Sequence, residues 1–152
     1  MRRHKQQLSY EECEDILKTQ PRGVLALLGD YDYTYALPMS HVYLDGKIYF
    51  HGAMKGHKND AVEKHDKISY CVMDDGILND DGWSYTFKSV IVFGKIRILD
   101  DVDEKIDKLT HLGDKFFPTH EKTISEIERL LSKTQIYEIS IDHMSGKIVE
   151  EN

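Results

Sequence analysis

Cysteine is scarce, with only Cys13 and Cys71 in 152 residues, far apart and without CxxC spacing. That excludes a disulfide framework and a zinc knuckle, and it fits a reducing compartment, so a cytoplasmic protein is expected. Long apolar runs are missing too. The stretch from Gly23 to Gly29 is far below the roughly 20 residues that cross a bilayer, and Met1-Arg-Arg-His-Lys is not followed by an apolar signal segment. Positive charge is outnumbered: 20 Lys and Arg against 27 Asp and Glu give a formal net charge of -7. Such a field repels nucleic-acid phosphates and offers no polybasic face to an anionic membrane. Neither nucleic acid nor membrane is an expected partner, and any phosphate site has to be local. Also lacking are GxSxG, HExxH, the phosphate-loop pattern GxxxxGK[ST], and a carboxylate pair spaced as in a glycosidase.

What is present is ordinary for a folded chain, with 40% hydrophobic and 31% charged residues. One domain over residues 1–152 is expected, burying roughly 70% of its unfolded surface. Ser9 and Glu12 have capping-box spacing, with Leu8 placed to staple against Cys13, so a helix starts there and runs through Ile16 and Leu17 to Pro21-Arg-Gly23. Strand patterns follow over 23–29, 35–44 and 47–51, with turns at Gly29 to Tyr33 and at Asp45-Gly46. Residues 57–65 read as a short helix and 67–73 as a strand. The turn clusters at 74–76 and 79–82 read as an exposed loop. A long strand covers 83–99, with Gly94 as a bulge or bend. Helices are expected over 102–117 and 120–132, separated by Pro118, and a last strand over 135–141, where Ile136, Ile139 and Ile141 alternate with polar neighbours. About six strands with short turns and three or four helices make an α+β fold, mainly β: an antiparallel barrel with flanking helices.

The segment with most chemistry is Lys47-Ile-Tyr-Phe-His51-Gly52-Ala53-Met54-Lys55-Gly56-His57-Lys58. It reads as a strand, a glycine-bounded loop and a helix N-terminus, a junction that presents unpaired N–H groups and a positive dipole end. Lys55, His57 and Lys58 supply cationic character as a phosphate monoester requires. The same residues also fit a solvated loop with two turn glycines, and the chemistry alone leaves both readings open.

Ala36-Leu-Pro-Met-Ser-His-Val-Tyr43, Asp45-Gly46, Ile48-Tyr-Phe-His-Gly-Ala53, Gly56-His-Lys58 and Ser89-Val-Ile-Val-Phe-Gly94 together resemble the pyridoxamine 5′-phosphate oxidase-like FMN-binding split barrels. The similarity runs from about Arg3 to Val149 and is greatest to the branch of small flavin-binding proteins related to 5-nitroimidazole resistance reductases. The resemblance implies a six-stranded antiparallel split barrel that holds FMN at a homodimer interface, with the phosphate in the glycine loop and the isoalloxazine along strand edges. His57 and Lys58 match the basic pair on the phosphate, with His57 where many members have Arg. Pro38, Met39, Ser40, His41 and Val42 match the strand whose backbone faces the ring. His51, Gly52 and Ala53 match the strand end beside the ring and ribityl chain, and Ser89 and Val90 match a further cofactor-contacting strand.

The implied function is that of an oxidoreductase acting on a small organic substrate of nitroimidazole or nitroaromatic type, with NADH, NADPH or another electron donor. Flavin carries the electron chemistry, which accounts for the lack of a catalytic constellation. His51 is the candidate catalytic residue, as a hydrogen-bond or proton donor, against a purely positioning role. Three alternatives stay open: a flavin store or redox sensor without turnover, pyridoxamine phosphate oxidase-like activity, and haem handling. Strict oxidase activity is disfavoured because the Arg- and Pro-rich C-terminal extension of the true oxidases has no counterpart in Asp142 to Asn152. No metal site is expected, since His57 and His65 lack further ligands. Trp83, Tyr85 and Phe87 read as a core strand face, with stacking on a neighbouring copy's flavin as the alternative. Tyr31, Tyr33 and Tyr35 fit an interface or a hairpin surface, Phe116-Phe117-Pro118 a packed helix end, and Cys71 a buried small hydrophobe.

Overall fold

The computed structural model describes residues 4–151. After a 3-10 turn at His4–Gln6, α1 spans Tyr10–Thr19. Its capping box is formed: the Glu12 N–H donates to Ser9 Oγ at 3.2 Å and the Ser9 N–H to Glu12 Oε2 at 2.8 Å. The strands and helices that follow are β1 (Arg22–Leu28), β2 (Thr34–Ser40), β3 (Val42–Leu44), β4 (Lys47–Ala53), α2 (His57–Lys64), β5 (Lys67–Met73), β6 (Ile77–Leu78), β7 (Tyr85–Ile98), α3 (Val102–Phe116), α4 (His120–Leu130) and β8 (Thr134–Glu150). The pairings are antiparallel, in the order β2-β1-β5-β7-β8-β4-β3 with β6 added on β7.

The inward faces of these strands and the apolar stripe of α1 make one core. Leu17, Leu25, Phe50, Tyr70, Val90 and Val92 are fully buried in it, and Ala61 and Val62 of α2 join it. Each such large side chain contributes about 1.5–3 kcal/mol by leaving water. A second, smaller core lies on the opposite face of β4 and β8, where Leu112 of α3 packs with Val42, Tyr49, Leu99 and Ile136. Glu138 is buried there with its partners in place. Burial pushes its carboxyl up, but hydrogen bonds from Arg97 (2.8 Å), Tyr49 (2.9 Å) and Lys47 (3.2 Å) outweigh this and hold it below the usual range.

Among the described residues eight strands stand where about six were expected. The 35–44 run divides at His41, whose N–H donates to the Pro21 carbonyl while its ring turns inward to Leu17, so the chain leaves one ladder and enters another. Ile77–Leu78, inside the expected loop, pairs with Tyr85 and Thr86. The last strand is far longer than 135–141, because a bulge between Phe93 and Gly94 re-registers the β7–β8 ladder and lets pairing continue to Glu150. At Gly94 any Cβ would collide with the Ser140 carbonyl. At Asp45 and Gly46 both φ values are positive (49° and 78°), as the two-residue β3–β4 turn requires.

Three further expectations are corrected. Cys71 is exposed rather than buried, because inward Tyr70 and Val72 fix the parity of β5. Trp83 and Tyr85 are likewise exposed, by 68% and 43%, and do not form a core face. In β8 it is Tyr137, Ile139 and Ile141 that share the inward register, whereas Ile136 lies under α3.

An apolar row crosses the outward face of β2, β1, β5 and β7, with Lys67 and Lys95 farther along that face. Pro38, Val24, Cys71, Ile91 and Ser145 fall in register across five strands. Met73 and Phe93 flank this row, more than half exposed.

Candidate functional site

β2 and β3 are the two ends of the sheet order, and β4 runs beyond β3 from Phe50 to Ala53. The barrel is therefore split between β2 and the far part of β4. Lys58, in the first turn of α2, lies in this split. Its Nζ is 4.0 Å from Met39 Sδ on β2, 4.8 Å from the Tyr137 ring centroid and 5.8 Å from that of Phe50. The stem crosses Gly52, where a Cβ would collide with Nζ. Burial lowers the Lys58 pKa, and among the described residues the ammonium has no oxygen partner. A half-buried cation held by two aromatic faces and a sulfur is a costly arrangement unless an anion completes it.

Two buried polar atoms are also unpartnered among the described residues: the hydroxyl of Tyr137, whose ring faces Lys58, and Asn59 Oδ1. Burial raises the Tyr137 phenol to about 12, so it stays protonated and able to donate. Gly56, at φ 141°, gives α2 no side-chain cap, which leaves the first-turn N–H groups available. The Asn59 amide donates to the Ala53 carbonyl at 3.0 Å and so ties α2 to the end of β4.

His57 points elsewhere. Its Nδ1 lies 3.6 Å from Asp30, which also pairs with Lys64, and its ring meets Tyr35 edge-on at 4.6 Å. His41 is a buried structural residue. The Leu17 carbonyl can only accept, so Nε2 carries the proton across 2.7 Å and Nδ1 accepts from the Tyr70 hydroxyl at 2.9 Å. Burial pushes its pKa down to about 4, so the ring is neutral. Val42 belongs to the smaller core and Pro38 to the outward apolar face. Ser89 shares that outward register and Val90 is inside the barrel core, both on β7, two strands from β4. Within the chain, Met39, Gly52, Ala53 and Lys58 come together, while Ser89 and Val90 do not join them.

His51 and Ser40 line a separate cleft of ≈ 370 Å³ between α3 and α4, walled by Leu112, Phe116, Phe117, Ile127 and Leu130 among others. Burial, and then the Lys58 charge, lower the His51 pKa, so its imidazole is neutral near pH 7. Sequence reasoning did not find Tyr137, Asn59, Asp30 or this cleft. For Tyr137 a signal existed in the spacing: positions 136 and 139 differ by an odd number and cannot share a strand face. The cleft depends on how two helices pack and left no pattern in the chain.

The family model described as pyridoxamine 5′-phosphate oxidase matches residues 9–148. No curated protein matches the sequence. Among solved structures, a candidate 5-nitroimidazole antibiotic resistance protein from Bacteroides thetaiotaomicron is similar, with 16% identity and TM-score 0.78 over 95% of this chain and 87% of that one. A FAD-binding protein from Mesorhizobium loti has 24% identity and TM-score 0.69 over 94% and 96%. The flavocytochrome Anf3 from Azotobacter vinelandii has 22% identity and TM-score 0.79 over 100% and 74%. At such identities the likeness is one of fold.

Proposed function

The chain belongs to the pyridoxamine 5′-phosphate oxidase family, and on that premise we propose that it is an FMN-binding oxidoreductase acting on a small organic substrate of nitroaromatic type. The observation that carries this reading is the half-buried Lys58 ammonium in the split, without an oxygen partner among the described residues, at the uncapped start of α2. These groups fit a phosphate monoester. Lys58 supplies the charge, the first-turn N–H groups of α2 supply donors, and the Tyr137 hydroxyl supplies one more. The fold similarity to a FAD-binding protein and a flavocytochrome supports a flavin cofactor.

When bound, the flavin would supply hydride and electron transfer. The chain's own residues would do the rest. Lys58 and α2 hold the phosphate, and the free edge of β2 from Pro38 to Ser40 offers main-chain donors and acceptors to the ring. Gly52 and Ala53 let the backbone approach closely, and neutral His51 holds a proton at one ring nitrogen beside the cleft. His57 reaches the phosphate only by releasing Asp30. Ser89 and Val90 would act from a second copy of the chain, docked through the outward apolar face, with Val90 contributing main-chain atoms only. We assign the protein to the cytoplasm on its two free cysteines.

The test is a flavin titration of the purified protein, followed by anaerobic mixing with NADH or NADPH. FMN should bind at least tenfold more tightly than riboflavin, which lacks the phosphate. Bleaching by the nicotinamide and recovery on adding a nitroaromatic support the enzyme. A flavin that binds but stays oxidised indicates a binding protein, and equal affinity for riboflavin removes Lys58 and α2 from the site.

A further inference from the structure

We propose that the cleft between α3 and α4 is the substrate pocket and that it takes an uncharged, flat, largely apolar molecule rather than a phosphorylated or carboxylated one. This rests on the flavin reading above. The cleft is the right size for a small aromatic, at ≈ 370 Å³. Its walls include Leu112, Phe116, Phe117, Ile127 and Leu130, and besides Glu126 its polar side chains are Ser40, His51 and Thr134.

Charge decides the ligand class. The charged side chain in the lining is Glu126, and it is committed to Lys122 (2.6 Å) and Arg129 (2.5 Å). Lys115, on the neighbouring turn of α3, donates to the carbonyls of Gln20 and His41 at 2.8 Å each, and burial pushes its pKa down to about 8. No lining residue is a lysine or arginine, so an anion would lose its hydration without compensation. The polar end has limited capacity as well. The Thr134 hydroxyl already donates to the Leu130 carbonyl at 2.8 Å, which leaves Ser40 and neutral His51 as the donors that meet a polar group of a ligand. The spacing of the helices is fixed, because Gly113 lies so close to Thr123 that a Cβ there would collide with it.

The experiment uses the full chain, with and without FMN, and the uncharged fluorophore N-phenyl-1-naphthylamine. The probe should bind with a rise in emission, and its anionic relative 1-anilinonaphthalene-8-sulfonate should bind at least tenfold more weakly. Ile127→Trp, which fills the cleft, should weaken the probe at least tenfold and change FMN affinity less than twofold. Phe117→Ala, at a half-open wall position that tolerates truncation, should weaken the probe about threefold. No probe binding, unchanged binding in both variants, equal binding of the sulfonate, or displacement of the probe by FMN each overturn the proposal. If the probe behaves as expected while the wild-type chain binds no flavin, the pocket for a neutral ligand stands and the redox reading it rests on falls.

Discussion

A half-buried lysine between the Tyr137 and Phe50 rings lowers stability in exchange for a binding capacity. Lys58→Met should therefore raise the stability of the flavin-free protein by about 1 kcal/mol, read as a higher urea midpoint. It should also weaken FMN by about 1–3 kcal/mol, the worth of a charge-assisted hydrogen bond. His41 gives a second expectation. Its pKa is 6.5 when unfolded and about 4 in the folded protein, so between these values the unfolded chain binds a proton that the folded chain refuses. Stability is then complete above pH 6.5 and falls as pH drops toward 4, by about 3 kcal/mol. Urea denaturation across that range should show the slope, and His41→Gln should flatten it. Lys58 and Gly52 were legible because a strand, two glycines and a cationic pair occur in sequence there. His41 lies on the stretch whose backbone the resemblance sets beside the ring, and nothing in Met39-Ser-His-Val42 announces that its imidazole turns to Leu17, twenty-four residues away.

Elements with local signals are legible in the sequence. The α1 cap, the Asp45-Gly46 turn and the bend at Gly94 each depend on two or three neighbouring residues, and each is formed. Ser9→Ala should cost about 1 kcal/mol through the lost cap. Gly94→Ala should cost about 3 kcal/mol or more, because backbone at Ser140 has to move rather than a side chain, and thermal unfolding separates the two. Elements whose extent depends on a partner strand were read short. Residues 142–150 carry Asp142, His143, Ser145 and Lys147, a weak strand pattern by itself, yet 143–150 pair with β7 once the bulge at Asp142 has reset the register.

For the whole molecule, the apolar row Pro38, Val24, Cys71 and Ile91, flanked by exposed Met73 and Phe93, is a patch of the kind that marks an interface, and a second copy is the occupant that the proposed function requires. Ile91→Glu, at a position already open to solvent, should leave the protomer folded. It should halve the mass seen by sedimentation and weaken FMN in parallel. The same sheet sets how the chain reaches its final form. β8 lies between β7 and β4, and its pairs with β4 join residues 47–53 to 134–140. Closing such distant partners costs chain entropy before any contact rewards it. Folding should therefore be slow for a protein of this length, with amide protons at the β4–β8 seam the last to gain protection during refolding.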